Sequence, residues 1–317
     1  MRPSCLLSVL LVVAVSLEGA SAANATASGP RPTVGDRWTY RTNSTLGAGL
    51  SLGGQATLTV TSVGPATVEG VTFNAVRMAV HGAGTAAGNF SSRFVSGPAS
   101  GTWVLSGEEV TELDGLKVVS TVLDLEANGT LQVPPVPIAF RLSVQNTSTH
   151  RFVSDSWRFP LAVGNTTVVR SELNFTEDVG FFYGLPSPPV RTAGRVPWNV
   201  SYSLEATVVI DTPAGRFDTY RIRQTFPDAS SGVLFFAPAA GNYARTESHN
   251  GTSEVARTEL VSYRYQALEP SRFMGLTTDQ WLVAGVLVAA ASGGFVWWFS
   301  RRRRASPPER GPPPPAT

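Results

Sequence analysis

The sequence predicts an all-β ectodomain, two tandem antiparallel β repeats forming a curved sheet, sandwich or half-barrel, followed by one C-terminal transmembrane helix. Three observations carry this. Six segments alternate with the period of two that a strand requires: 55–63, 73–80, 117–125, 201–210, 217–225 and 255–265. They are rich in Val, Thr, Tyr and Phe and are bounded by Gly, Pro and Asn. Between the two ends of the chain no stretch shows the apolar spacing of an amphipathic helix. Near the C-terminus, Trp281 to Phe299 contains no charged residue and is followed by Arg301, Arg302, Arg303 and Arg304.

In chain order, residues 1–22 read as a secretory signal. Arg2 supplies the positive start, Leu6–Val15 the short apolar run, and Ala20-Ser21-Ala22 the small-residue cleavage pattern. Residues 23–150 and 151–266 read as repeats 1 and 2. Four matches in the same order suggest one plan used twice. Val34-Gly35-Asp36 matches Val163-Gly164-Asn165. Phe73 through Arg77-Met78 matches Phe217 through Arg221-Ile222. The turn PASGTW (98–103) matches PAAGNY (238–243), and Glu109-Val110 with Glu112-Leu113 matches Glu254-Val255 with Glu259-Leu260. A Gly/Pro-rich insert, 179–196, absorbs the difference in spacing. The halves form either two sheet domains or one large sheet.

Residues 267–279 are a juxtamembrane linker and 280–299 the span. Nineteen helical residues rise roughly 28 Å, about the hydrocarbon thickness. Trp281 marks one interface and Trp297 and Trp298 the other, and the four arginines act as a cytoplasmic stop-transfer signal, which leaves the N-terminal bulk outside the cell. The tail, 300–317, is basic and proline-rich and cannot build a core.

Composition adds the setting. The only cysteine is Cys5, so the mature chain has no disulfide and no thiolate chemistry. Of eleven asparagines, nine sit in Asn-x-Ser/Thr sequons, where chance would give roughly two. They are Asn24, Asn43, Asn89, Asn128, Asn146, Asn165, Asn174, Asn199 and Asn250, expected as glycan sites on exposed turns or strand ends. Sequons are absent from 90–127 and 200–249, which points to windows that are buried or face a partner, burial being the expected cause. The net charge is +2, less than the tail arginines alone supply, so the ectodomain carries no basic stripe for nucleic acid. Lys117 is its only lysine. Dense sequons, no mature cysteine and arginine in place of lysine suggest an archaeal surface protein.

No catalytic constellation stands out. Gly49-Leu-Ser51-Leu-Gly53 fits G-x-S-x-G, but a nucleophile elbow needs a strand before it and a helix after it, and here a Gly-rich loop leads into a strand. The HGAG at His81 resembles an oxyanion-hole loop yet follows the serine instead of preceding it. His81, His150 and His249 are too scattered to hold zinc, and no cofactor motif is present. Phe181, Phe182 and Tyr183 are the candidate contact for a ligand or partner, or else a plug for the end of a sheet. The expectation is a non-enzymatic, membrane-anchored surface glycoprotein with a binding or structural ectodomain, whose candidate partners are a surface protein or glycan. The alternative is a carrier or sensor of an apolar, lipid-like ligand, with a continuous apolar cavity as its mark. Oligomeric state is left open.

The stretches VGDRWTY, TPAGRFDTY, FFAPAAGNY and TELVSY resemble uncharacterised extracytoplasmic β-domain proteins of bacteria and archaea, with Gly-Asp-x-Trp-x-Tyr, Thr-Pro-Ala-Gly-x-Phe and Tyr-x-Pro-x-x-Gly motifs. Gly35, Asp36, Trp38 and Tyr40 fit the first, and Thr212 to Gly215 with Phe217 fit the second. Phe236 stands where the third has tyrosine. The resemblance implies a curved sheet or half-barrel akin to lipoprotein-carrier folds. It brings no catalytic residues.

Overall fold

The computed structural model describes residues 26–45, 49–91, 96–133, 135–184 and 189–266. The signal segment, Asn24, the span and Arg301 to Arg304 lie outside them. Among the described residues there is no helix long and apolar enough to cross a membrane. Among the described residues fourteen strands run in order: β1 Thr26–Ala27, β2 Arg37–Thr45, β3 Leu50–Val68, β4 Val71–Ser91, β5 Ser96–Glu112, β6 Lys117–Leu131, β7 Ile138–Ser154, β8 Leu161–Ala162, β9 Thr166–Tyr183, β10 Val190–Thr212, β11 Gly215–Thr225, β12 Ser231–Ala237, β13 Asn242–Asn250 and β14 Ser253–Arg264. Five of the six segments read as strands from their alternation fall within these, and the sixth, 255–265, runs one residue past β14.

Twelve strands form one sheet. Each pairs antiparallel with its neighbour in order, and β14 pairs with β2, so the sheet closes into a barrel. β1 and β8 form a separate two-stranded sheet. The expected sandwich or half-barrel is thus replaced by a closed wall, past which the longer strands extend: residues 60–68 of β3 have no partner on β2, and residues 190–200 of β10 have none on β11. The dividing point at 150/151 falls inside β7, and six barrel strands lie on either side of the β7–β9 connection.

The two sets of six follow one register. Gly35 N–H donates to the Val60 carbonyl and Val60 N–H to that of Asp36; Gly164 N–H donates to Leu204 and Leu204 N–H to Asn165. Both glycines have φ +92°, a conformation glycine adopts at no steric cost. A bulge follows at Val60/Ser62 in β3 and at Leu204/Ala206 in β10, opposite Met78-Arg77 and Ile222-Arg221. The first two sequence matches therefore occupy equivalent places.

The third and fourth do not. Pro98 lies near the start of β5, whereas Pro238 is in the turn after β12. The structural counterpart of Pro238–Gly241 is Leu113–Leu116. Each bridges the equivalent hairpin with four residues, and the last has positive φ, +63° at Gly241 and +54° at Leu116. Glu109-Val110 registers with Leu234-Phe235, not with Glu254-Val255. Small residues recur wherever strands turn or crowd, so composition produced a likeness that register does not share. Of the expected insert at 179–196, residues 179–183 belong to β9 and 190–196 to β10.

Each set folds its long hairpin back over the wall. The β3–β4 tip, Glu69-Gly70, has positive φ at both residues, as a tight hairpin turn requires. It carries Phe73 edge-on to Phe152, 5.7 Å between centroids. The β10–β11 tip brings Phe217 to Tyr263 at 5.7 Å, and Ile210 and Phe217 share a cluster with Val233 and Phe235. This is why β12 is buried along nearly its whole length. Burial covers only part of the sequon-free window at 200–249, where Val209, Asp211, Arg216 and Asp218 are exposed, and in the window at 90–127 Thr102, Val104, Ser106 and Glu108 of β5 form an exposed row.

Lys117 is buried where the β5–β6 turn meets the β7–β8 connection. Its ammonium contacts Glu112 at 2.6 Å and Asp155 at 2.8 Å and donates to the Trp157 carbonyl at 2.9 Å. Removing it strands two carboxylates inside the protein, which costs about 3–5 kcal/mol for a buried pair. Lys117→Met should lower unfolding stability by about that amount in denaturant titration. In the native parent protein, Lys117 should resist amine-reactive reagents until the barrel unfolds, as read by peptide mass mapping.

Candidate binding cavity

Cross-strand partners share a face of the sheet, so the ladder pairs sort every barrel residue to the outside or the lumen. The outside is charged. Arg77 meets Glu108 at 2.5 Å, Arg41 meets Glu259 at 2.6 Å, and Arg141 pairs with Glu126. Such mid-strand charges cost about 2–4 kcal/mol each for Arg or Lys on a lipid-facing barrel wall at the bilayer midplane. This wall is built for water. The lumen is apolar, the reverse of a membrane channel.

Barrels of about eight strands are just filled by their own side chains. Twelve enclose more space, and this protein fills it unevenly. One part of the lumen is packed. Trp103 lies against a glycine floor: a Cβ on Gly84 would stand 2.1 Å from the Gly53 carbonyl oxygen and 2.7 Å from Trp103 Nε1. Trp103 Nε1–H donates to that same carbonyl at 3.2 Å. Nearby, Phe181 stacks on Phe90 at 4.7 Å and lies 6.1 Å from Phe140. At the end where β8 sits, Trp157, Phe236 and Leu204 pack with Ala27 and Leu161 of the small sheet.

Between these packed regions lies a cavity of about 270 Å³. Leu52, Leu58, Val80, Leu105, Leu123, Leu125 and Val144 line one half of its wall, and Trp38, Tyr40, Val76, Met78 and Leu113 continue it. Tyr202, Gln224, Leu234 and Tyr243 come from the second set of strands, and Pro30 and Pro32 from the segment before β2. The cavity touches all three of the larger hydrophobic clusters.

Its polar groups gather together. Tyr40 OH donates to the Tyr243 carbonyl at 3.0 Å, and Tyr243 OH to the Leu116 carbonyl at 3.4 Å. Burial pushes both phenols above their ordinary range, and the Glu109 carboxyl adds to the effect. Glu109 itself is raised by burial, partly offset by the hydrogen bond it accepts from Thr111 Oγ1 at 2.8 Å. Tyr202 is raised by burial, partly offset by the Gln224 amide opposite it in the ladder.

The sequence-predicted residues land as follows. Phe181 packs inside the lumen among the plugging aromatics, while Phe182 on the same strand points outward and is exposed. They are strand residues, not a loop, and do not line the cavity; the Tyr183 side chain lies outside the described part. Asn43, Asn89, Asn128, Asn165, Asn174, Asn199 and Asn250 are exposed. Five of the seven, Asn43, Asn89, Asn128, Asn174 and Asn199, lie within strands on the outer wall, while Asn165 sits in a turn and Asn250 at a strand end. Asn146 faces inward, opposite Leu123 and Glu177, and lines the cavity. A glycan there has no room in the closed barrel. Ser51 and His81 are both within strands, β3 and β4, so neither G-x-S-x-G nor HGAG forms a loop at a helix. His150 is pushed down to about 4 by burial, with Nδ1 3.2 Å from Ser171 Oγ.

Sequence reading missed Glu109 and Gln224. Both occupy the apolar phase of their strands, in Leu105-Gly107-Glu109-Thr111 and Tyr220-Ile222-Gln224. A polar residue in the inward phase was the available signal. No family model, curated protein or solved structure matched the chain.

Burial also marks Glu247, whose carboxyl is pushed up to about 7 although Arg257 and Arg245 pull it down. A folded value above the unfolded 4.5 means its contribution is fully present below that pH and is lost as pH rises through about 7. Melting curves from pH 5 to 8 should show Glu247→Gln gaining on the parent, by an amount on the order of 3 kcal/mol across the window. Parallel curves would contradict this assignment.

Proposed function

We propose that the barrel is a non-catalytic binding module that shelters an apolar molecule outside the cell, tethered by the C-terminal span. The observation that carries this is the apolar cavity inside a wall whose outer surface is charged. A protein built only as a rigid surface element gains nothing from an unfilled lumen, because each void loses packing that its lining would otherwise make. Ligand pockets run upward from about 300 Å³, so the cavity suits a compact or single-chain ligand. The mid-strand sequons fit the same reading. Glycans on the outer wall would keep it solvated and leave the lumen untouched.

Two outcomes are expected. Residues 23–275, purified without detergent, should release a stoichiometric apolar compound on solvent extraction, identified by mass spectrometry. Val80→Phe should abolish that recovery with the β circular-dichroism signal retained, and an empty extract from folded parent protein would end the carrier reading. Glycopeptide mapping should find Asn43, Asn89, Asn128 and Asn250 modified and Asn146 bare. A modified Asn146 in folded protein would contradict its inward placement.

A further inference from the structure

We infer that a groove on the outer wall, across β14, β2, β3 and β4, is the seat of the Asn43 glycan, whose linking sugar lies over Gly53 and fastens the barrel seam. This goes beyond the binding reading above. It needs Asn43 to be modified and is independent of what the lumen holds. The groove has a volume of about 790 Å³, within the roughly 300–1,000 Å³ of ligand pockets. Asn43 is part of its lining. The ladder sets the order across it. Arg257 on β14 is opposite Asn43 on β2, Asn43 is opposite Gly53 on β3, and Gly53 is opposite Thr85 on β4. Cross-strand partners on one face hold their Cβ positions about 5 Å apart, so a sugar on Asn43 Nδ2 has Gly53 as its neighbour.

Gly53 is the residue that asks for an occupant. Glycine inside a strand weakens it and often marks a place where a ligand or another backbone comes close. Gly54 and Gly84 clear room for Trp103 on the lumen side. Gly53 is on the opposite face, where a Cβ would meet no described atom within 4 Å, and its φ is not positive. Neither packing nor backbone conformation calls for glycine there. A side chain at this position would stand in the groove beside Asn43. The rest of the lining suits the hydroxyls of a sugar. Gln55 and Thr85 lie on one side, and the ion pairs Arg41–Glu259 at 2.6 Å and Arg257–Glu254 at 2.8 Å hold donors and acceptors in place on the other. Asn43 also differs from other exposed sequons. Asn165 Oδ1 accepts from Ala162 N–H and Asn174 Nδ2 donates to Glu69, whereas no hydrogen bond among the described residues ties the Asn43 amide.

The test is a double-mutant cycle on the full chain, produced in cells that attach N-glycans and purified in mild detergent. Glycopeptide mapping reads occupancy at Asn43 in the parent and in Gly53→Thr, where it should be equal. Asn43→Gln removes the sugar. Gly53→Thr fills the groove with a strand-favouring side chain whose Cβ has room. In the parent, Asn43→Gln should lower the melting midpoint by about 2–4 °C. In the Gly53→Thr background it should have no effect. Gly53→Thr should raise the midpoint of Asn43→Gln protein but not that of the glycosylated parent. Trimming with an endoglycosidase that leaves one sugar on each asparagine should preserve this coupling, because only the linking sugar reaches Gly53. Equal Asn43→Gln shifts in both backgrounds mean a glycan that merely solvates the wall, and overturn the inference. So does loss of the coupling on trimming, or folded parent protein that is bare at Asn43. Each of these leaves the carrier reading standing, since solvent extraction of the lumen tests that separately.

Discussion

The pairing of β14 with β2 is the contact on which the rest depends. It joins the last barrel strand to the first across more than two hundred residues of chain, with Arg37 opposite Arg264 and Ser44 opposite Ala256. Asp36 locks the seam from one end. Its Oδ2 accepts from Thr33 N–H at 2.7 Å and its Oδ1 from Gln266 N–H at 2.8 Å. Trp38 Nε1–H and Tyr40 OH then reach the carbonyls of Ala240 and Tyr243. With the seam closed there is an inside, and strand alternation becomes a sorting of residues between water and lumen.

Closure also sets the packing problem. A ring of twelve strands is wide for side chains of ordinary size, so the protein spends its aromatics on filling it. Glycines let Trp103 approach the opposing backbone, and Phe90, Phe140 and Phe181 stack beside it. On the outside, the two long hairpins bend over and bury patches that would otherwise be apolar surface. What is left unfilled lies between the packed regions, bordered by residues from both sets of six strands. The cavity is a property of the whole ring, and neither half could make it alone.

The buried charges follow the same geometry. Lys117 sits among Glu112, Asp155 and the Trp157 carbonyl, an arrangement that pins the β5–β6 turn to the segment leading into β8. Buried ion pairs add little net stability against an apolar replacement of both partners, but breaking one side is costly. Their value here is positional. They fix the end of the barrel against which Trp157 and the small β1–β8 sheet pack.

Alternation, turn residues and the lack of helical period determined the all-β class from sequence alone, because those signals are local. Gly35 and Gly164, Phe73 and Phe217, and Arg77 and Arg221 were legible as equivalent for the same reason: each marks a turn or a strand phase that its own neighbours specify. Pro98 and Pro238 misled because small-residue turns look alike wherever they occur. Phe181 read equally as a contact or as a plug, and its place in the lumen depends on register with β7 and not on its composition. Asn146 carries the same sequon as Asn128, and only the ladder turns one inward and the other out. Glu109 and Gln224 come from strands five places apart in the ring. Closure alone brings them to one cavity, through hydrogen-bond register between distant strands, which no local stretch of sequence encodes.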